Sequence, residues 1–507
     1  MKHQHGLITI GLFVLAAGVI FISGCGGSGG STATTPPLPA PQIQNINSST
    51  TPTSPVGLPI EINGSSFQSA PGKVTFTQGS ISVDVTPATS AWSDTGIVAD
   101  VPSGNGTTNF TVPGTVNVTV TTSEGTSNAV AVNLVVTLTF KPSAMGWSTT
   151  MALPKPMTGL RAVAVPGSSS NSAFAIVTGG YDGSANTTTV WANSLNQDGT
   201  VGDTTNTTWT TIATNPLPTT LAHHAMAEAD DTNSLVSVGK RFIYVIGGQV
   251  NSTDAGGTDN VYVASVDSTV GTVGTWTTLT NTLPQPLLGM SATVHNGYLY
   301  VAGGVTTNGV PVSSVYSAQV NSDGTLGTWT TATNTLPTPR AFGTMFVFGG
   351  IIYYINGDPN SSIPPNNQGV GDTFVYYASA LRGDVGTWVQ NGNSTIHDRS
   401  KGVLFTAYGQ VISGEGVYTG SVGSGEMETS TINANNTGNL ALNSWTGLTG
   451  SLGQVPKANV YNSAGFTSPL VSSTNAPRFL ILGGQALTGT TGPGGALSST
   501  VYYNNKP

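Results

Sequence analysis

The apolar residues of this chain fall into three successive patterns. Gly6 to Ile22 is an unbroken run without charge, preceded by Met1-Lys2-His3-Gln4-His5 with its one firm positive charge. A short basic head before an apolar run is the layout of a secretory signal peptide, and the run sits at the low end of what spans a bilayer. From Gln42 onward the pattern changes to period two. Ile60 and Ile62, Val74 and Phe76, then Val116, Val118 and Val120 alternate with polar neighbours. Such alternation in short segments predicts half-buried strands of a two-sheet sandwich, here across residues 42–137. Beyond residue 138 the apolar runs are short, solid and end in glycine, as in Phe242 to Gly248, Tyr298 to Gly304 and Phe479 to Gly484. Runs of this kind predict strands packed on both faces that leave the sheet where backbone approaches backbone.

These runs belong to a repeat. Trp147, Trp209, Trp276, Trp329, Trp388 and Trp445 recur about 50 to 70 residues apart, a period in the range of propeller arrays. Leu-Pro follows the Trp in four units, at Leu153-Pro154, Leu217-Pro218, Leu283-Pro284 and Leu336-Pro337. Next come the glycine-ended strand and a Val-Tyr strand such as Val261-Tyr262 or Val315-Tyr316. The fourth and fifth units degrade the glycine pair to Asn356-Gly357 and Glu415-Gly416. Four strands per unit predict propeller blades. After Thr500-Val501-Tyr502-Tyr503 the last unit lacks a Trp strand, while a spare one stands around Trp147. The expectation over 138–507 is therefore six blades, with the N-terminal strand closing the last blade circularly and hiding the sheet edges. The Trp is read as a wedge between blades, and neither it nor the glycines are given a functional role.

Composition narrows the setting. Only 7% of the 507 residues are charged, against about 25% in an average soluble protein, and Gly, Ser, Thr and Asn take their place. Such a surface fits an extracellular all-β protein. The net charge of −8 is spread out and forms no basic stripe, which excludes nucleic acid as a partner. Cys25 is the only cysteine, so a disulfide framework, a Cys-ligated zinc site and Cys redox chemistry are excluded. Residues 25–41, Gly/Ser-rich and then Pro/Thr-rich, read as a tether.

Three resemblances follow from these segments. Ile22-Ser23-Gly24-Cys25 resembles the lipobox of bacterial lipoproteins. That implies cleavage of residues 1–24, acylation of Cys25 and anchoring in the cell envelope. Gly26 after the Cys implies the outer membrane, on its periplasmic or surface face. Ile60 to Phe67, Val74 to Phe76, Trp92 to Pro102 and Val118 to Asn128 together resemble an IPT/TIG domain. This implies an Ig-like spacer or contact module over 42–137, with Trp92 in its core. The Trp, Leu-Pro, Gly-Gly and Val-Tyr phrase resembles kelch repeats. This implies an all-β, six-bladed kelch-like β-propeller over 138–507.

The chain departs from the catalytic signatures of known propellers. Galactose oxidase, also kelch-like, needs a crosslinked Cys, and the sole Cys here lies at the anchor, so that copper chemistry is excluded. Ser322 to Trp329 approaches a sialidase Asp-box but has Leu326 in the glycine register. Its Asp323-Gly324 and the matching Asp198-Gly199 read as hairpin turns rather than calcium loops. His223 and His224 are adjacent, so on a strand they point to opposite faces, and with His295 and His397 they read as hydrogen-bonded strand-end residues. No catalytic residue, metal site or cofactor is expected. One cationic set stands out: Arg161, His223, Arg340, Arg399 and Lys457 lie near the starts of successive first strands, where a channel mouth would bind an anion. Arg340 also matches the kelch arginine that braces neighbouring blades. The leading expectation is a monomeric, non-catalytic binding or adhesion protein that recognises an envelope or extracellular glycan or protein. The rivals are a mutarotase- or lyase-like carbohydrate enzyme and a structural component of a matrix or surface layer.

Overall fold

The computed structural model describes residues 38–47, 52–87, 89–135, 142, 145–169, 171–231, 234, 236–237, 239–252, 257–360, 371–407, 409–417, 426–432, 442–448, 455, 462–470, 477–486 and 496–505. The segment expected to be a signal peptide, Cys25, most of the expected tether and Lys457 lie outside the described residues. The chain is all-β: among the described residues the one helical element is the short 3-10 turn Thr89–Ala91. Pro39–Pro507 form one compact unit.

Its N-terminal part is two sheets over one core. Gln42–Ile46, Pro59–Ser65 and Gly96–Asp100 form the first. Thr53–Pro55, Val130–Val135, Gly114–Thr122, Lys73–Gln78 and Ile81–Val85 follow one another across the second. The alternating residues of the sequence face inward together: Ile60, Ile62, Val74, Phe76, Val116, Val118 and Val120 are wholly buried around Trp92. Trp92 Nε1 donates to the carbonyls of Phe67 and Gln68 at 3.1 and 3.0 Å, which satisfies its one polar atom inside the core.

Six antiparallel sheets follow, each in chain order. Their first strands are Arg161–Pro166, Ala225–Asp230, Ser291–His295, Thr344–Phe348, Val403–Ala407 and Ala464–Thr467. The second strands are the glycine-ended runs. The sixth sheet takes its outer strand from the other end of the unit. Trp147–Thr149 pairs with Val501–Asn504, with Trp147 opposite Asn504 and Thr149 opposite Tyr502. Sheet 1 departs from the four-strand expectation, since Arg161–Pro166, Ala173–Thr178 and Val190–Leu195 have no fourth partner. The cause is five extra residues, Asp203 to Thr207, between Gly202 and Trp209, where sheet 2 runs directly from Gly274 to Trp276. Trp209 nevertheless reaches the same place and is 1% exposed.

The tryptophans tie sheet to sheet. Nε1 of Trp209, Trp276, Trp329 and Trp388 donates to the carbonyls of Met151, Asn215, Asn281 and Asn334. Each of these acceptors lies three residues before the proline of a Leu-Pro. The glycine pairs have the close approach their sequence predicted. A Cβ on Gly303, at φ +66°, would press on the Arg340 carbonyl of the next sheet, and the Gly304 N–H donates to that same carbonyl at 2.9 Å.

The N-terminal sheets dock on sheets 3 and 4 through a buried polar contact. Glu61, 1% exposed, brings Oε2 within 2.5 Å of His295 Nε2 and accepts from Asn296 Nδ2. Asn63 and Asn296 exchange amide hydrogen bonds, each 2.8 Å. Arg382 Nη1 donates to the Gly64 carbonyl at 3.3 Å.

Candidate functional site

The site is built from one position in each sheet, five residues past the Leu-Pro proline where that dipeptide is kept. The six residues are Gly159, His223, Gly289, Phe342, Lys401 and Asn462, each two positions before the start of a first strand. Each N–H donates to the carbonyl of its predecessor: His223 to Gly159 at 2.8 Å, Gly289 to His223 at 2.8 Å, Phe342 to Gly289 at 2.7 Å, Lys401 to Phe342 at 2.9 Å, and Asn462 to Lys401 at 2.9 Å. Gly159 then donates to Asn462 at 2.9 Å, which closes the loop. All six have left-handed backbone, with φ between +54° and +65°, and all six are buried. The side chains lean backward around this annulus. The His223 ring lies over Gly159, where a Cβ would fall 2.6 Å from it, and the Phe342 ring lies over Gly289 in the same way. His223 and Phe342 meet edge to face at 5.8 Å, and Lys401 Nζ sits 5.0 Å from the Phe342 centroid. Two rings fit because the position before each is glycine.

From the annulus the first strands line a cavity of about 380 Å³. The first strands of sheets 1 and 2, 2 and 3, 3 and 4, 5 and 6, and 6 and 1 lie against one another. Arg161 stands on the wall two residues past the annulus, and Glu228, Thr293, Thr406 and Thr467 lie toward the far end. Arg161 Nη1 donates to the Leu160 carbonyl at 2.9 Å, and no carboxylate among the described residues pairs with this guanidinium. Desolvation lowers its pKa to about 10. Lys401 is lowered to about 8 by desolvation, against the attraction of the buried Asp358. Desolvation first, and then the charges of Arg161 and Lys401, hold His223 well below its usual range. His224 falls to about 3 for the same leading reason, with Nε2 placed 2.8 Å from Thr178 Oγ1. The neutral imidazoles leave Arg161 and Lys401 as the cations at this end of the cavity. Cations so placed can hold an anion by charge-assisted hydrogen bonds in a poorly screened space.

The cationic set of the sequence divides in the structure. Arg161 and His223 are at the cavity and annulus. Arg340 and Arg399 are not: they lie three residues past the Leu-Pro proline or its equivalent, where Met157, Leu221 and Leu287 are buried in other sheets. Arg340 is 0% exposed; its Nη1 donates to Asp372 Oδ1 at 2.8 Å and to the Asn356 carbonyl at 3.0 Å. Its guanidinium lies 4.6 Å over the Tyr376 ring. Arg399 Nε donates to the buried Glu428 Oε1 at 3.0 Å and its Nη1 to the Glu415 carbonyl at 2.7 Å. Both side chains are held by groups of their own unit, so each guanidinium ties together strands of one sheet rather than facing the cavity. Lys457 lies outside the described residues. The Asp-Gly turns are Asx turns, in which Asp198 and Asp323 accept from both the N–H and the hydroxyl of Thr200 and Thr325. His223 and His224 precede their strand rather than lying on it, and His397 Nε2 is 3.2 Å from Glu426 Oε2. Among the described residues no group of three or more His, Cys, Asp or Glu is arranged to hold a metal ion.

Of the annulus only His223 stood out in the sequence as a candidate; Gly159, Gly289, Phe342, Lys401 and Asn462 did not, and Glu415 behind it stood out only as a degraded glycine pair. Counting five residues past the Leu-Pro proline reaches Gly159, His223, Gly289 and Phe342, but the fifth unit has no such proline, so nothing local marks Lys401 as their equivalent. Glu415 replaces the first glycine of a pair at φ +52°. It is buried behind the annulus, accepts from Ser463 Oγ at 2.5 Å, and desolvation raises its pKa to about 8. No protein-family model and no curated protein matches the chain.

Proposed function

We propose that this chain is a non-catalytic binding protein of the bacterial cell envelope. In this reading it is held to the membrane by lipidated Cys25 and binds a carboxylate-bearing glycan or protein segment in its axial cavity. The six sheets are read as blades of a kelch-like propeller, and the N-terminal pair of sheets as an IPT/TIG-like module. The closed annulus of six backbone hydrogen bonds supports the propeller reading, as does the pairing of Trp147–Thr149 with Val501–Asn504. The observation that carries the binding reading is Arg161, a cation on the cavity wall with no carboxylate partner among the described residues. Arg241, Arg340 and Arg399 have carboxylate partners, and the buried Arg478 donates to the Asn504 carbonyl; what sets Arg161 apart is its place on the cavity wall.

The test is binding of the full chain to carboxylated and neutral glycans on one array. Carboxylated glycans are expected to bind, and Arg161→Ala to weaken them at least about tenfold, the size of one charge-assisted hydrogen bond. Equal binding of neutral glycans, or an unaffected Arg161→Ala, refutes the reading. Product formation from any bound glycan would move the protein to the enzyme class. Anchoring is tested separately by labelled palmitate, whose incorporation should vanish in Cys25→Ser.

A further inference from the structure

The annulus carries one primary amine, Lys401, and its setting suits covalent chemistry. The side chain is 4% exposed, lies beside the Phe342 ring, and belongs to the same cavity wall as Arg161. Both cations bear on the His223 imidazole, so they share one end of the cavity. Desolvation brings the ammonium to about 8, which leaves roughly a tenth of it as free amine at pH 7. A dehydrated amine of this kind is a nucleophile toward carbonyl carbon. Arg161 presents the planar fork that suits a carboxylate.

We propose that Lys401 captures the carbonyl carbon of a small 2-oxo acid as an imine while Arg161 holds its carboxylate. The Nζ lone pair forms the new C–N bond as the carbonyl π pair moves to oxygen. One N–H proton passes to that oxygen to give the carbinolamine; the nitrogen lone pair then forms C=N as the C–O bond breaks, and the departing hydroxyl takes the second N–H proton to leave as water. No electrons are exchanged and no co-reactant is needed, so the capture is reversible. The proposal rests on the cavity being the ligand site, and it deepens that reading by naming a ligand class.

The experiment uses the full chain with pyruvate and sodium cyanoborohydride, which reduces the imine to a stable secondary amine, followed by peptide mass mapping. The adduct is expected on Lys401, more at pH 8 than at pH 6, and absent from that peptide in Lys401→Arg. Arg161→Ala should reduce trapping at least about tenfold, again the size of one charge-assisted hydrogen bond. Melting curves confirm that both variants are folded. Label on exposed Lys73 and Lys155 with Lys401 unmodified overturns the proposal, and so does trapping indifferent to Arg161→Ala. Lactate separates the two readings, because it has the carboxylate but no carbonyl. Lactate bound in an Arg161-dependent way without pyruvate trapping sinks the imine and keeps the anion site. Failure of lactate to bind at all sinks both.

Discussion

Gly289→Ala tests the annulus most directly. Gly289 has φ +65°, and a Cβ there would lie 2.6 to 2.9 Å from three atoms of the Phe342 ring. Two costs add. Left-handed backbone disfavours any residue with a Cβ by about 1–2 kcal/mol, and forcing the ring aside adds about 1–3 kcal/mol of overpacking. The total is about 2–5 kcal/mol. Gly409 supplies the control: its φ is +73° and nothing lies within 4 Å of a Cβ there, so Gly409→Ala should cost only the first part, about 1–2 kcal/mol. Phe342→Ala alone should cost about 3–5 kcal/mol, since it removes a buried ring and the face on which Lys401 rests. In that background Gly289→Ala has no ring to displace, so the two changes should couple by about 1–3 kcal/mol. Urea unfolding followed by intrinsic fluorescence, compared at a common slope, measures all five proteins. If Gly289→Ala costs the same in both backgrounds to within about 0.5 kcal/mol, the ring does not lie over Gly289 and the packing argument is wrong.

Three further outcomes are expected. His223 and His224 are neutral in the folded state while the unfolded chain protonates near 6.5. Stability should therefore fall as pH drops below 6.5, by up to about 1.4 kcal/mol per unit for each histidine. Glu415 has the opposite sign: its proton is retained up to about 8, against an ordinary 4.5. Between pH 6.5 and 8, where the histidines are silent, stability should fall with rising pH, and Glu415→Gln should flatten that limb; a wild-type profile already flat there contradicts the assignment. Deleting Trp147–Thr149 bares the edge strand Val501–Asn504 and should cause aggregation or loss of a cooperative melt; a soluble monomer with unchanged melting would show that the strand is dispensable. Arg399→Ala strands the wholly buried Glu428 and should cost about 3–5 kcal/mol, whereas Arg161→Ala breaks no ion pair and should barely move the melting temperature. Equal melting shifts in the two would erase the distinction between brace and ligand residue.

What the sequence made legible was whatever repeats one task. Ile60, Ile62, Val74 and Phe76 alternate because each strand buries one face, and all four are 0% exposed. The tryptophans are periodic because four of them make the same N–H bond to the same step of a neighbouring sheet. Insertions within that period were not legible: the extra Asp203 to Thr207 cost sheet 1 a strand although Trp209 kept its phrase. The cations were misgrouped because nearness to a strand start is not register. Arg340 lies three residues past its proline, His223 five and Arg161 seven, and a two-residue offset separates a buried brace from the annulus. Glu61 and His295 could not be matched at all, because 234 residues separate them and no local pattern marks either.

The fifth repeat ties these points to function. It is the unit that lost both its Leu-Pro and its regular glycine pair, and it contributes Lys401, Arg399 and Glu415. Keeping glycine there would have maintained the backbone approach without strain; Glu415 instead holds φ +52° with a buried carboxyl. Positions that strain the backbone and bury ionisable groups oppose stability, and nothing in the closure of the six sheets requires them, since Gly247, Gly303 and Gly483 make the same approach with hydrogen as their side chain. A ring of near-identical units gives a symmetric cavity, and a symmetric cavity cannot orient an asymmetric ligand. Arg161 on the first sheet and Lys401 on the fifth break that symmetry on the side of the annulus joined through Asn462. The degraded repeat, paired with Arg161 of the first sheet, is thus where the cavity acquires direction, and the proposed chemistry is to be tested at that pair.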